Sequence, residues 1–438
     1  MENVPIEYNF LFDMDLTPLC KIESVVFRKT EALILNNHES LFSCDFWLLA
    51  LTNLFVMTGY YSLMVTVGLY SVKKFQAPTS ITGLIVGITV IGILISRFSS
   101  GYLTHIFSNK QLMVAGTILL IPATLLYQMA NSILFLIVVR LIQGIAIGLV
   151  STVTNTAVVL LFPKARTGEG IGYFSLSTIL ATAVGPFAGL LVEQHFNFNV
   201  MFMMETILAI LALIFCLFVN GSKIAFHFTN RHPKITIHDF IEPKALPIAS
   251  TIFIVGLGYA AIQAYLSFYT TELNLASYSS VFFLIYAAAI LISRPFTGRI
   301  IDHFGENAVI IPSAIINMLG MMLLATASSG WMILVSAFLI GLGFGNFQST
   351  CQTVAAKSVP IERLSQATAT YFILFDLSLG VGPYALGIIE PLTGYRGLFC
   401  LMGITIIIGL IWYLLIHGRK NKNFVKDAIP NNSDNRLD

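Results

Sequence analysis

Twelve times along this chain, a run of about twenty mostly apolar residues is followed by a polar break. Each run is long enough to cross a bilayer as a helix. Hydrocarbon offers a peptide group no water, so a spanning segment must satisfy its own hydrogen bonds. The first run is Phe46–Val72, and the last two are predicted at Ser365–Glu390 and Arg396–His417. Composition agrees: 56% of the 438 residues are hydrophobic and only 11% charged, against about 25% charged in an ordinary soluble domain. The expectation is an all-α integral membrane protein with twelve transmembrane helices, and the lipid bilayer as its first partner. A net charge of +2 gives no reason to expect nucleic acid.

The longest internal polar break falls between the sixth and seventh runs. It divides the chain into a polar tail at 1–44, a six-helix bundle at 45–220, a linker at 221–244, a second bundle at 245–417 and a tail at 418–438. The opening residues lack the basic and apolar regions of a signal peptide. With the N-terminus placed in the cytoplasm, the inner loops and C-terminal tail hold fourteen Lys and Arg residues. The outer loops hold three, Lys73, Lys74 and Arg396. That bias predicts both termini inside, at the cell membrane. Five scattered cysteines with no CxxC pair read as packing thiols, so neither a disulfide nor a metal site is expected.

The two halves share a text. "ILISRFSSG" at 93–101 returns as "ILISRPFTG" at 290–298. An offset of 197 aligns the halves without a gap from Ile95 to Pro186. It places Arg97 on Arg294, Gly101 on Gly298, Gly144 on Gly341 and Gly185-Pro186 on Gly382-Pro383. Agreement through four successive spans means a duplicated bundle. Six spans are an even number, so both copies insert in the same sense, related by an axis along the membrane normal. In such proteins a substrate site lies near the midplane between the copies.

Three motifs make the chain similar to the major facilitator superfamily over about 44–418. The loop after the second span reads "GYLTHIFSNK", and its second-half counterpart "GRIIDHFGEN", against the family's G-x-x-x-D-R-x-G-R-K. "RLIQGIAIG" at 140–148 resembles R-x-x-Q-G-x-x-x-G. Gly172, Gly185, Pro186 and Gly189 resemble the fifth-span signature of proton-coupled exporters, with Ala181 and Leu190 in place of two glycines. The resemblance implies two pseudo-symmetric bundles rocking about a central pocket and no cofactor. It further implies a small-molecule substrate, protons as coupling partner and a single copy as the working unit. It implies that Gly101, Gly298, Arg299, Asp302 and Gly305 belong to latches at one membrane face. His105 stands where the first latch should carry Asp. Gly185-Pro186 and Gly382-Pro383 would let the fifth and eleventh spans flex or seal against the opposite bundle, or simply pack closely.

Charges inside a span are costly and functional by default. Arg140 and Asp376 are expected deep, with Glu205 one turn below a surface. Arg140, Gln143, Gly144 and Gly148 share a helical face, expected to look into the cavity. If protons drive transport, Asp376 is the carrier by elimination; otherwise Arg140 and Asp376 tie helices together. Tyr60, Tyr61, Gln263, Tyr265, Tyr269, Asn346 and Gln348 are the remaining cavity candidates.

No catalytic signature lies at depth: the sequence holds no HExxH, no GxSxG and no Walker-type loop. His227, His232 and His238 in the linker read as loop histidines. The expected function is secondary transport, not catalysis: export of drug-like compounds or of a metabolite such as a metallophore against protons. A proton-coupled importer and a sensor without flux remain open.

Overall fold

The computed structural model describes residues 43–162, 167–221, 224, 241–360 and 363–418. The expected N-terminal tail, most of the linker and residues 419–438 lie outside them. Among the described residues there are helices and no strand. In the first half these are α1 (Cys44–Phe75), α2 (Thr79–Ile106), α3 (Asn109–Leu126), α4 (Ile133–Leu161), α5 (Thr167–His195) and α6 (Phe198–Phe218). In the second they are α7 (Leu246–Glu272), α8 (Ser277–Phe304), α9 (Asn307–Ala325), α10 (Gly330–Lys357) and the stretch Leu364–Tyr413. Polar caps set several starts. Ser43, Ser132 and Asn197 accept from backbone N–H groups of α1, α4 and α6, and Ser108 with Gln111 forms a capping box on α3.

The sequence predicts separate eleventh and twelfth spans. The structure instead runs helix from Leu364 to Tyr413, broken only at Gly394, where φ is 66° and ψ 171°. That backbone region belongs essentially to glycine. A side-chain carbon on Gly256 would meet Ser378 Oγ at 2.3 Å, and one on Gly409 would meet Val255 Cγ2 at 2.6 Å. Residues 378 and 409 flank Gly394 at nearly equal distance along the chain, yet both reach adjoining residues of α7. The stretch therefore folds back on itself as two limbs, α11 before Gly394 and α12 after it, and the crossings number twelve.

Helix pairing repeats between the halves. The pairs α1–α5, α1–α6, α2–α4, α3–α4 and α3–α6 recur as α7–α11, α7–α12, α8–α10, α9–α10 and α9–α12. Two main seams join the bundles, α2 against α11 and α5 against α8, and α1 also meets α7. One end of the molecule carries residues 43 and 418 and is called the termini end; the other is the far end. The seams are tight toward the far end. Tyr265 of α7 donates its hydroxyl to Pro383 O of α11 and reaches Thr79 O of α2 at 3.5 Å. Gln194 of α5 donates to Ala276 O at 2.9 Å, at the start of α8. Near the termini end, a carbon added to Gly298 would meet nothing within 4 Å.

Candidate functional site

Arg97 of α2 and Asp376 of α11 meet midway along the first seam. Arg97 Nη1 lies 2.9 Å from Asp376 Oδ2. The contact is ionic rather than an aligned hydrogen bond, since no donor meets Oδ2 in bonding geometry. The pair is largely desolvated, with side-chain exposures of 25% for Arg97 and 12% for Asp376. The Arg97 guanidinium also sits 5.4 Å from the ring centre of Phe372 on α11, a cation–π contact adding to the hold. Tyr60, Tyr61 and Tyr371 lie within electrostatic range of Asp376. Toward the far end, the seam closes on backbone. A carbon on Gly87 would lie 1.9 Å from Gly380 O, and one on Gly83 2.0 Å from Pro383 O. Small residues at such positions let two helices touch along their peptide groups.

The ion pair revises one expectation. Arg140 and Asp376 are the deep charges expected from the sequence, and Arg97 is not among them. Helix α2 continues to Ile106, so Arg97 lies nine residues inside it, about 14 Å by helical rise. Arg294 lies at the matching depth in α8. The signal was in the sequence, because these two arginines belong to the repeated phrase itself.

Arg140 does not line a cavity between the bundles. It is fully buried inside the first bundle. Its Nε donates to Ile85 O at 3.1 Å and Nη2 to Val86 O at 3.0 Å, both on α2; Nη1 donates to Gln143 Oε1 at 3.1 Å. Tyr127 donates its hydroxyl to the same Gln143 oxygen. The face shared by Arg140, Gln143, Gly144 and Gly148 turns toward α2: carbons on Gly144 and Gly148 would strike Thr89 O and Ile93. Glycines on a polar face signal a close helix neighbour as readily as a cavity.

Glu205 is buried near this network, with Oε1 lacking a hydrogen-bond partner. A cavity of about 10 Å³ separates Glu205 from Gln143 and is bounded by Gly59 and Tyr60. That is room for one water. The second bundle does not repeat these side chains. Tyr127, Arg140, Gln143 and Glu205 become Leu324, Ala337, Ile340 and Met402 at the offset of 197.

The remaining predicted residues divide by their neighbours. Tyr60 and Tyr61 are buried on α1 with rings 4.9 Å apart. Gln263 is buried with both amide atoms unpartnered. Tyr265 seals the far end, as described. Tyr269 is committed to Leu324 O and Ala325 O of α9. Asn346 is held by Ser293 and Thr297 of α8. Gln348 is half-buried, and its carbonyl accepts from Tyr371. Gly185 and Gly189 press on Thr58 O and Ser62 of α1 within their own bundle, not on the opposite one. Gly382 packs on Ala260 of α7, whereas the Pro383 carbonyl does serve the seam. In α8, Arg299 is exposed and Gly305 caps the helix at φ 78°. The latch side chains at Gly101, His105 and Asp302, and position Gly172, lie outside what is described. Among the described residues, no group of three or more His, Cys, Asp or Glu side chains could hold a metal ion.

Similarity to known proteins follows the same architecture. The family profile described as Major Facilitator Superfamily matches residues 49–311 and 248–428. An uncharacterized MFS-type transporter of Methanocaldococcus jannaschii is 27% identical over 346 residues, 76% of this chain and 88% of its own length. The multidrug resistance protein MdtG of Salmonella typhi is 22% identical over 339 residues, 76% of this chain and 84% of its own. Among solved structures, a POT family transporter in complex with a thioalcohol-conjugated peptide superposes with a TM-score of 0.71 at 15% identity, covering 86% of this chain and 96% of that one. A bacterial homolog of the human lysosomal transporter Spinster, inward-facing and unoccupied, superposes at 0.70 with 12% identity, covering 90% and 99%. With the profile spanning nearly the whole membrane part and two pseudo-symmetric bundles meeting at two seams, the chain belongs to the Major Facilitator Superfamily of transporters.

Proposed function

We propose that this transporter exports small organic molecules across the cell membrane in exchange for protons, working as a single copy by alternating access. The termini and the 221–244 linker lie on the cytoplasmic side. The observation that carries the reading is the Arg97–Asp376 pair, which joins the two bundles at the level where the far-end seal gives way. With the termini inside, the far-end seal and the open space beside Gly298 fit an inward-facing state. An ionised Asp376 attracts Arg97 and holds the seal shut; a protonated Asp376 loses that attraction and lets the far end open. The ionised pair in an inward-facing molecule is the state after the proton has left to the inside. For exchange, cargo bound from the inside, rather than a proton, then breaks the pair and opens the far end, and a proton taken up outside accompanies the return. Among the described residues Arg97 is the charged partner of Asp376, with Tyr60, Tyr61 and Tyr371 nearby. The similarity to a multidrug resistance protein supports export of organic compounds.

The test is transport in lipid vesicles holding the purified chain, with an imposed pH gradient and two dyes, cationic ethidium and anionic carboxyfluorescein. The wild type moves at least one dye uphill. Asp376→Asn lacks the charge that responds to protons, so gradient-driven accumulation is lost while downhill exchange of dye persists. Unchanged uphill flux in Asp376→Asn removes the ion pair from the coupling mechanism.

A further inference from the structure

Among the described residues Arg294 is a partly buried charge within a span that has no ion-pair or hydrogen-bond partner. Helices α2 and α8 are each unbroken over 28 residues, so the offset of 197 holds along both. Arg97 stands eighteen residues beyond Thr79, and Arg294 eighteen beyond Ala276. Eighteen residues make five helical turns, which returns the side chain to the same azimuth. Thr79 O faces the other bundle through Tyr265, and Ala276 O faces the other bundle through Gln194. Both arginines therefore leave the stripe of their helix that faces across the seam.

Their surroundings differ. Arg97 finds Asp376. The residue equivalent to Asp376 on α5 is Ile179, so the second seam offers no carboxylate there. The flanking polar groups are already engaged, since Ser293 and Thr297 both bond Asn346 of α10. Among the described residues Arg294 makes no ion pair and no hydrogen bond, and it is only partly exposed. A guanidinium unpaired within a span is costly and marks a ligand path.

We propose that Arg294 binds the carboxylate of the transported molecule, which makes the cargo an organic anion. The first seam shows what a guanidinium at this position accepts: a carboxylate presented from across the gap. At Arg294 the protein withholds its own carboxylate, and the planar fork of an arginine is suited to that group in particular. Exposed Arg299, five residues nearer the termini end on the same helix, adds positive potential on the approach from that side. A cation would meet repulsion at both. This inference rests on the transporter reading and adds the cargo's charge to it.

The test uses the full chain in phosphatidylcholine nanodiscs and reads fluorescence anisotropy of carboxyfluorescein, with cationic rhodamine 6G as the contrast. The wild type binds carboxyfluorescein. Arg294→Gln loses at least about tenfold in affinity, as expected for a desolvated charge pair, and Arg294→Lys retains part of it. Elution volume and unfolding temperature matching wild type show that both variants are folded. No carboxyfluorescein binding by the wild type, or equal binding by Arg294→Gln, overturns the proposal. So does binding that disappears when phosphatidylglycerol is added to the discs, which would assign Arg294 to a lipid headgroup. If rhodamine 6G binds and ethidium crosses vesicles while carboxyfluorescein does neither, the anion inference falls and the transporter reading stands. If no dye binds or crosses, both fall.

Discussion

The α2–α11 seam and the α8–α5 seam descend from one duplicated design and now do different things. The first is closed by backbone contacts at Gly83 and Gly87 and locked by an internal ion pair. The second carries Ser280 and Leu284 at the positions of those glycines, and Ile179 where the acid should be. Removing two glycines and one carboxylate converts a self-satisfied joint into one with a charge to spare. The comparison separates two jobs that a rocking transporter must combine. On the proposed reading the first seam senses the driving ion and the second takes the cargo. Coupling between them needs no long pathway, because both seams span the same gap and move together when the bundles rock.

The asymmetry can be broken at its tightest point. In Gly87→Val the new side chain collides with Gly380 O, so the far end cannot close. Dye flux in vesicles is expected to fall below roughly a hundredth of wild type, whereas Leu284→Val, at the matching place on α8, stays within about twofold; the contrast follows from backbone-to-backbone approach at one site alone. Restoring the missing acid sharpens the comparison further. Ile179→Asp recreates the first seam's carboxylate opposite Arg294. An internal partner then competes with the cargo, and carboxyfluorescein affinity drops about tenfold with rhodamine 6G affinity unchanged or raised. The smallest effect is expected at Gly298→Ala. Nothing lies within 4 Å of the added carbon, so transport in this variant stays within about twofold of wild type, as for surface changes in general. A large loss there would mean that Gly298 becomes packed in the other half of the cycle.

Much of the architecture was legible before any coordinates. Apolar runs specify crossings because lipid leaves the backbone no other choice, and the repeated phrase specified the duplication. What escaped was direction. Arg140, Gln143, Gly144 and Gly148 do share a face, but a helical face does not name its neighbour, and this one belongs to α2. Gly185 left the same choice open, because close packing inside a bundle and sealing between bundles ask for the same small residue. Arg97 and Arg294 fall inside their apolar runs but toward one end, and the ends of a run do not fix how far its helix extends or which neighbour it meets. Asp376 is buried on α11; its partner could be found only once α2 and α11 were seen side by side.

Gly394 carries a practical consequence. The last two crossings are joined through a single residue whose backbone conformation only glycine holds comfortably. No slack chain exists there to receive an epitope tag, a protease site or a labelling cysteine. Reporters of sidedness belong instead at the turn between α1 and α2, where Gln76 and Pro78 are exposed. A tag forced into the Gly394 turn would have to unwind one of the two helices that clasp α7.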